Sequence, residues 1–431
     1  MPLFSQDLLN PGVKKREVFG WAMYDFANSG YTTVVLTAVF SAYFVGVVAA
    51  KAEWATFAWT LALSISYAIV MLSMPGLGAL ADLRAAKKRF LLFSTIGCVI
   101  STAALALAGP GQVVLAMLLV IISNTFYSYG ESLTAAFLPE LAERDALGTV
   151  SGWGWGFGYF GGMLALGLCL GYVLWAQERG MPASHFVPVT MLVTAALYGL
   201  ASIATFALLK ERALPQQSAL ADGLIASLQR QAVTLRQARR YRDFMSLMLC
   251  GVFYQGGVAV VITLAAIYAE QVIGFQPRET MLLIFVLNIA AAAGAFGFGF
   301  WQDHIGHKRA LAATLVGWIA TCVIAALTTT KGGFWWAAVL AGACMGSSQS
   351  AGRAMAGMFA PRAQVAEFYG LWAFATRLAS IIGPLLFGAI TWATGGNQRI
   401  AIVSTTILFV LGLVALLPIN VARGRAAAES A

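Results

Sequence analysis

The sequence has very few charged residues for its length. Only 10% of its 431 residues are Asp, Glu, Lys or Arg, and 60% are hydrophobic, whereas soluble domains carry about 25% charged residues. A single water-soluble core of this size cannot bury that much apolar surface. The composition therefore excludes a soluble globular protein and predicts an all-α integral membrane protein.

Cysteine and histidine are scarce and scattered. The five cysteines lie singly inside apolar runs without a Cys-x-x-Cys pair, which excludes the spacing of a zinc site or a disulfide framework. No phosphate-binding loop of the Walker type occurs, and no nucleophile–base set lies at a consistent membrane depth. We therefore expect no metal, no cofactor and no enzymatic activity.

The net charge of +9 comes from Lys and Arg in the short loops between apolar runs. These residues do not form the basic stripe that follows a phosphate backbone, so we expect no nucleic-acid partner. Nearly all of them fall in loops that share one side of the membrane, and cytoplasmic loops are rich in Lys and Arg. We predict that both termini and the central linker are cytoplasmic.

Twelve apolar runs are long enough to cross a bilayer. They cover residues 20–50, 55–81, 90–108, 112–138, 147–176, 186–209, 244–272, 278–301, 309–328, 333–360, 366–393 and 398–419. We predict an N-terminal six-helix bundle over residues 1–209, a cytoplasmic linker over 210–243 and a C-terminal six-helix bundle over 244–431. Apolar residues of the linker recur at helical spacing, with arginines at the other positions, which predicts a basic amphipathic helix on the membrane surface; a solvated linker helix is the alternative.

The two halves repeat in sequence. Gly78 precedes Asp82 by four residues, Gly299 precedes Asp303 by four, and a basic cluster begins five residues after each Asp. Further on, "GESLTAAFLP" and "GRAMAGMFAP" align at an offset of 222 residues. Duplicated groups of spans are typical of secondary transporters, and we predict twelve transmembrane helices in two pseudo-symmetric bundles.

The repeated loop resembles the signature of the major facilitator superfamily, which has Gly-x-x-x-Asp followed by basic residues after spans two and eight. The sequence departs from that signature in three places. Leu83 replaces the usual Arg, Ala85 replaces an inner Gly, and His304 replaces an Arg in the second copy.

A narrower resemblance lies in "WAMYDFANSGY" of span one and "FYSYGESLTAAFLPELAERDALGTVSGWGWGFGYFGG" of spans four and five. Together these stretches look like the "unknown major facilitator" branch, the bacterial relatives of fungal vacuolar amino-acid effluxers. The resemblance implies a multi-pass permease with the major facilitator fold, located in the plasma membrane, which is the bacterial inner membrane. It also implies that spans one, four, seven and ten line a central cavity.

Spans one and four each carry polar residues at intervals of three to four, which place them on one helix face. These residues are Asp25, Asn28, Ser29 and Thr32 in span one, and Asn124, Tyr127, Ser128 and Glu131 in span four. A charged side chain facing lipid costs at least about 2.5–3.5 kcal/mol. The two polar faces therefore predict substrate-binding or coupling residues along a permeation path.

The repeat aligns Glu131 of span four with Arg353 of span ten, each preceded by Gly. Our hypothesis is a dipolar site in which Glu131, together with Asp25, receives a cation and Arg353 receives an anion. Arg377 of span eleven is a further candidate. The alternatives are that Asp25 only meets the cytoplasmic gate, that Glu131 and Arg353 form a structural ion pair, and that Arg377 pairs with a carboxylate at the gate.

The repeated loops predict gating rather than substrate binding. The residues concerned are Asp82, Arg89, Asp303, Lys308 and Arg309. At the ends of their helices, the acidic residues are placed to meet a helix N-terminus or a basic side chain. Such contacts latch one side of the protein shut and break when the halves rock.

The sequence as a whole predicts a secondary active transporter of a small polar solute, such as an amino acid or a similar zwitterion. We expect alternating access, with Asp25 and Glu131 as candidates for proton coupling, and function as a monomer within the lipid bilayer. Two alternatives remain open. One is an exporter of drug-like or lipidic compounds, and the other is a transport-dead membrane sensor or scaffold.

Overall fold

The computed structural model describes residues 6–143, 147–212, 236, 238–361 and 365–429. Twelve long helices account for most of them. They are α1 (Lys15–Val48), α2 (Ala55–Leu83), α3 (Lys87–Leu107), α4 (Val113–Ala135), α5 (Leu147–Glu178), α6 (Ala183–Leu208), α7 (Arg242–Ile273), α8 (Pro277–Ile305), α9 (His307–Leu327), α10 (Lys331–Met358), α11 (Val365–Ala393) and α12 (Gln398–Leu416). A short helix, Val421–Glu429, follows α12.

Among the described residues, eleven helical segments are long and apolar enough to cross a membrane. Each of the twelve long helices except α10 contains one of them. Helix α10 has 28 residues, which is long enough to span, but it carries the polar run "SSQS" and Arg353. The predicted all-α fold of twelve long helices is therefore confirmed. The predicted amphipathic helix in the linker falls almost entirely outside the described residues.

The chain forms two compact units. The first comprises Met1–Ala50 and Ile65–Ser227, and the second comprises Lys51–Ser64 and Leu228–Ala431. In the first unit, α1 packs against α5 and α6, while α3 packs against α4 and α6. In the second unit, α7 packs against α11 and α12, while α9 packs against α10 and α12. These four pairings recur in both units, as a duplicated six-helix sequence predicts.

Close helix contacts show how α1 and α7 correspond. A methyl group on Gly130 of α4 would overlap the hydroxyl of Tyr24 in α1, and one on Gly352 of α10 would overlap the hydroxyl of Tyr254 in α7. A methyl group on Gly161 of α5 would overlap the backbone of Phe26 in α1, and one on Gly383 of α11 would overlap the backbone of Gly256 in α7. Helices α1 and α7 therefore align at an offset of 230, not 222.

The difference of eight residues lies at the end of α1. Helix α1 extends 24 residues beyond Tyr24 and contains two π-helical stretches, Thr32–Ala38 and Phe44–Val48. Helix α7 extends 19 residues beyond Tyr254 and contains one, Ala269–Ile273. The turn after α1 is also three residues longer than the turn after α7. The longer helix accounts for five of the eight residues and the longer turn for three; π-helical turns hold extra residues within a continuous helix, and α1 has one such stretch more than α7.

The first part of α2 packs in the second unit, and we call Lys51–Ser64 the crossing segment. Trp59 Nε1 donates to the backbone oxygen of Thr263 at 3.3 Å. Phe57 stacks on Trp392 with ring centroids 5.2 Å apart. Both contacts tie this segment to α7 and α11 of that unit.

Candidate functional site

In the first unit, Asp25 lies at the interface of α1 and α5. Its side chain is half-buried, and a methyl group on Gly154 of α5 would overlap Asp25 Oδ2 and approach the ring of Trp21. Asn28, one turn further along α1, is buried with 5% exposure. A glycine is needed at position 154 because the carboxylate occupies the space that a side chain there would fill. Asp25 is thus a residue packed between helices, with partial access to solvent.

Tyr24 holds α1 against three other helices. Its hydroxyl lies 3.1 Å from Thr95 Oγ1 of α3 and 3.1 Å from Tyr198 Oη of α6, and its side chain is fully buried. The same hydroxyl presses on Gly130, the residue before the half-buried Glu131. Sequence reasoning singled out Asp25 and overlooked Tyr24, which sets the distance between α1 and α4.

The polar residues of α4 contact two different helices, α2 and α1. Asn124 is fully buried, and its Nδ2 donates to Ser66 Oγ of α2 at 2.6 Å. Tyr127 turns toward α1, where its hydroxyl accepts from Thr32 Oγ1 at 2.8 Å and its ring stacks on Tyr31 at 4.9 Å. The predicted polar face of α4 therefore mixes a helix–helix contact at Asn124 with a hydroxyl cluster at Tyr127.

In the second unit, two glutamines join α7 to α10. Gln255 and Gln349 exchange amide hydrogen bonds, each 2.9 Å long. Gln255 Nε2 also donates to Tyr254 Oη at 3.2 Å. One turn beyond Gln349, Arg353 is exposed, and Arg377 on α11 is half-buried. The glutamines were missed from sequence because the offset of 222 does not align Gln255 with Asp25.

The predicted gating residues are described only in part. The side chains of Asp82 and Asp303 lie outside the described set, so their gating role stays a prediction. Arg89 and Arg309 are exposed in the first turns of α3 and α9. Lys308 Nζ donates to the backbone oxygens of Leu417 and Ile419, just after α12, at 2.8 and 2.7 Å. Lysine near a helix C-terminus satisfies unpaired carbonyls there, so this side chain ties α9 to α12.

The first unit has the corresponding contact and a carboxylate cluster beside it. Lys88 Nζ donates to the backbone oxygen of Leu209, just after α6, at 2.6 Å. Glu211 accepts from the backbone nitrogens of residues 87 and 88 at the start of α3, which is the favourable placement for an anion. Arg212 pairs with the buried Glu17 of α1 at 2.6 Å. Together these contacts fix the chain where the linker begins.

A bidentate ion pair anchors the helix that follows α12. Arg423 donates to both carboxylate oxygens of Asp243, at 2.7 and 2.8 Å, and the backbone nitrogen of Asn420 donates to the same carboxylate. The Asp243 carboxylate raises the pKa of the Arg423 guanidinium above its usual value. Bidentate Arg–carboxylate pairs fix geometry as well as charge, so the start of α7 and the C-terminal helix are held together.

An apolar cavity of about 60 Å³ lies in the second unit. Residues of α7, α8, α9, α10 and α12 line it, together with Phe387 of α11. Tyr268 and Phe334 contribute aromatic rings. No group of three His, Cys, Asp or Glu residues suited to a metal ion occurs within the described ranges.

The chain is similar to known proteins over nearly its whole length. The family described as "Vacuole effluxer Atg22 like" matches residues 42–429. The uncharacterized MFS-type transporter YxiO of Bacillus subtilis strain 168 is 30% identical over 403 residues, which cover 92% of this chain and 93% of YxiO. Autophagy-related protein 22-1 of Aspergillus niger is 27% identical over 209 residues, 44% of this chain and 34% of the fungal protein.

The fold has close counterparts among solved structures. A bacterial homolog to the human lysosomal transporter Spinster, in an inward-facing and unoccupied conformation, has a TM-score of 0.70 at 14% identity. The match covers 97% of this chain and 99% of that one. At this identity the likeness shows the fold alone, and it confirms the predicted major facilitator architecture.

Proposed function

Since this chain belongs to the Atg22-like family of vacuole effluxers and is a multi-pass transporter of the major facilitator type, we propose that it moves a small polar solute by alternating access. The solute we propose is an amino acid or a similar zwitterion. Transport by this chain, rather than catalysis, is what its named relatives indicate.

One observation carries the choice of a zwitterion. Glu131 of α4 and Arg353 of α10 follow the two glycines that receive the buried hydroxyls of Tyr24 and Tyr254. These contacts give the two charged residues equivalent places in their own units. We propose that Glu131, together with Asp25, receives the cationic group of the solute and that Arg353 receives its anionic group, with Arg377 nearby in sequence as a further cation.

The coupling ion and the location are part of the same proposal. A charged carboxylate in a membrane helix is costly, and protonation of Asp25 or Glu131 during the cycle would lower that cost. We propose proton coupling, action as a monomer, and residence in the bacterial plasma membrane with both termini cytoplasmic. The Lys and Arg distribution supports this orientation.

Uptake into proteoliposomes tests the proposal. A pooled set of labelled amino acids would be offered with and without an imposed pH gradient, and wild type would be compared with Glu131→Gln and Arg353→Gln. We expect uptake that the gradient increases and that both substitutions abolish while the proteins remain folded. Absence of uptake under every gradient would contradict the zwitterion assignment, and full uptake by both variants would reduce Glu131 and Arg353 to structural residues.

A further inference from the structure

We propose that Gln349 and Arg353 of α10, oriented by Gln255 and Tyr254 of α7, form a subsite for the carboxylate group of the transported solute. This inference rests on the proposed function and adds the chemical group that the second unit recognises. It also assigns roles to three residues, Gln349, Gln255 and Tyr254, that have none in the dipolar site.

The first step is the count of amide donors. The reciprocal pair uses one N–H and the carbonyl oxygen of each glutamine. Gln255 gives its second N–H to Tyr254 Oη, so both of its amide hydrogens are committed. Gln349 makes its reciprocal bond with one N–H, and a primary amide has two. The second N–H of Gln349 is therefore the donor that the pair leaves for a ligand.

The second step is the rigidity of this donor. Tyr254 is fully buried, and its hydroxyl presses on Gly352. Gln255 is buried with 7% exposure. Gln255 is thus held from both sides, and it in turn sets the rotamer of the half-buried Gln349. Binding groups held by a supporting layer lose little conformational entropy when a ligand arrives.

The third step is the position of the guanidinium. Gln349 and Arg353 are four residues apart on α10, so they share one face of that helix. Gln349 is half-buried, and Arg353 is exposed one turn further along. Arginine is the side chain best suited to a carboxylate, because its planar fork donates two parallel hydrogen bonds. An amide N–H one turn away adds a neutral donor to a charged one.

The corresponding positions in the first unit have the opposite chemistry. With α1 aligned to α7 at an offset of 230, Asp25 corresponds to Gln255, and Glu131 corresponds to Arg353. The first unit thus has two carboxylates where the second has an amide and a guanidinium. A carboxylate ligand is repelled by the first set and attracted by the second. The solute should therefore present its anionic end to the second unit alone.

The first experiment measures which part of the solute is recognised. For any amino acid that wild-type proteoliposomes take up, we expect its primary amide and its decarboxylated amine to compete at least tenfold more weakly. Gln349→Glu should raise the half-saturation concentration at least tenfold, because a carboxylate replaces the amide donor. Gln276→Glu makes the same chemical change at an exposed position in the turn before α8 and should leave uptake at the wild-type level.

The second experiment does not depend on any transported solute. Gln349→Cys would be labelled in the folded protein with an anionic and a cationic methanethiosulfonate of similar size. The five native cysteines are buried, which keeps the background low. We expect the anionic reagent to react faster relative to the cationic one, and Arg353→Gln to reduce that ratio at least about fivefold.

The outcomes separate the two proposals. If wild type takes up no amino acid, the proposed function fails, and the labelling ratio still decides whether this face of α10 attracts anions. If uptake occurs but amides and amines compete as well as amino acids, the carboxylate subsite is wrong while the transport function stands. The subsite is also wrong if Gln349→Cys does not react, or if Arg353→Gln leaves the ratio of anionic to cationic labelling rates unchanged.

Discussion

The contact of Tyr24 with Gly130 leads to a sharp prediction for Gly130→Ala. The added methyl group would overlap a hydroxyl that Thr95 and Tyr198 hold in place. Overpacking a core costs about 1–3 kcal/mol, and a helical Gly→Ala change regains about 1 kcal/mol. If the hydroxyl is displaced, two buried hydrogen bonds worth about 1 kcal/mol each are lost. We expect a net loss of about 2–4 kcal/mol in the free energy of unfolding.

A double-mutant cycle isolates this contact. Tyr24→Phe removes the hydroxyl that the methyl group would meet, so Gly130→Ala in that background should be nearly neutral. The coupling energy between the two substitutions should then be about 2–4 kcal/mol, at or above the upper end of the range for residues in direct contact. Unfolding by SDS, followed by tryptophan fluorescence in detergent micelles, gives the four free energies.

Gly167→Ala is the matched control. Gly167 also lies inside a long helix, but a methyl group there has no neighbour within 4 Å in the described structure. This variant should be as stable as wild type or gain up to about 1 kcal/mol from helix propensity. The reasoning is refuted if Gly130→Ala is as stable as Gly167→Ala, or if Tyr24→Phe fails to rescue it.

Three further predictions concern other contacts. Asp243→Asn should release the C-terminal helix from the start of α7, because it removes the charge that Arg423 pairs with; faster hydrogen exchange in residues 421–429 would show this, and unchanged exchange would contradict it. Lys308→Gln should lower the thermal unfolding midpoint, since it removes two bonds to backbone carbonyls of the chain after α12, whereas an equal midpoint would show that these bonds contribute nothing. Phe57→Ala should cost at least about 1 kcal/mol, the sum of lost burial and the stacked ring of Trp392; an unfolding free energy equal to wild type would refute a stabilising role for the stack.

Much of the fold could be predicted from the sequence because lipid imposes simple rules. Long apolar runs and the sided distribution of Lys and Arg follow from the cost of exposing polar groups to hydrocarbon. Even α10 was identified, although Arg353 and the "SSQS" run make it less apolar than the other spans. A helix interrupted by a polar turn is still recognisable by its length and by its place in the repeat.

The candidate site was harder to predict because periodicity gives a face but not its neighbour. The spacing of Asn124 and Tyr127 places both on one side of α4, yet Asn124 contacts α2 and Tyr127 contacts α1. Gln255 was missed for a different reason. The longer α1 and the longer turn after it shift the repeat by eight residues, so an offset taken from α4 and α10 cannot pair Tyr24 with Tyr254. The shared Tyr in "YD" and "YQ" was the signal that could have found it.

The crossing segment has a consequence for how the chain is completed. Residues 51–64 belong to the first repeat and pack in the second unit. The crossing is one-way, because residues 228–431 all belong to the second unit. The second unit is therefore incomplete until it receives a segment that is synthesised before it. Two fragments made by dividing the gene between the repeats should accordingly associate when they are co-expressed, because Trp59 and Phe57 of the first fragment contact Thr263 and Trp392 of the second.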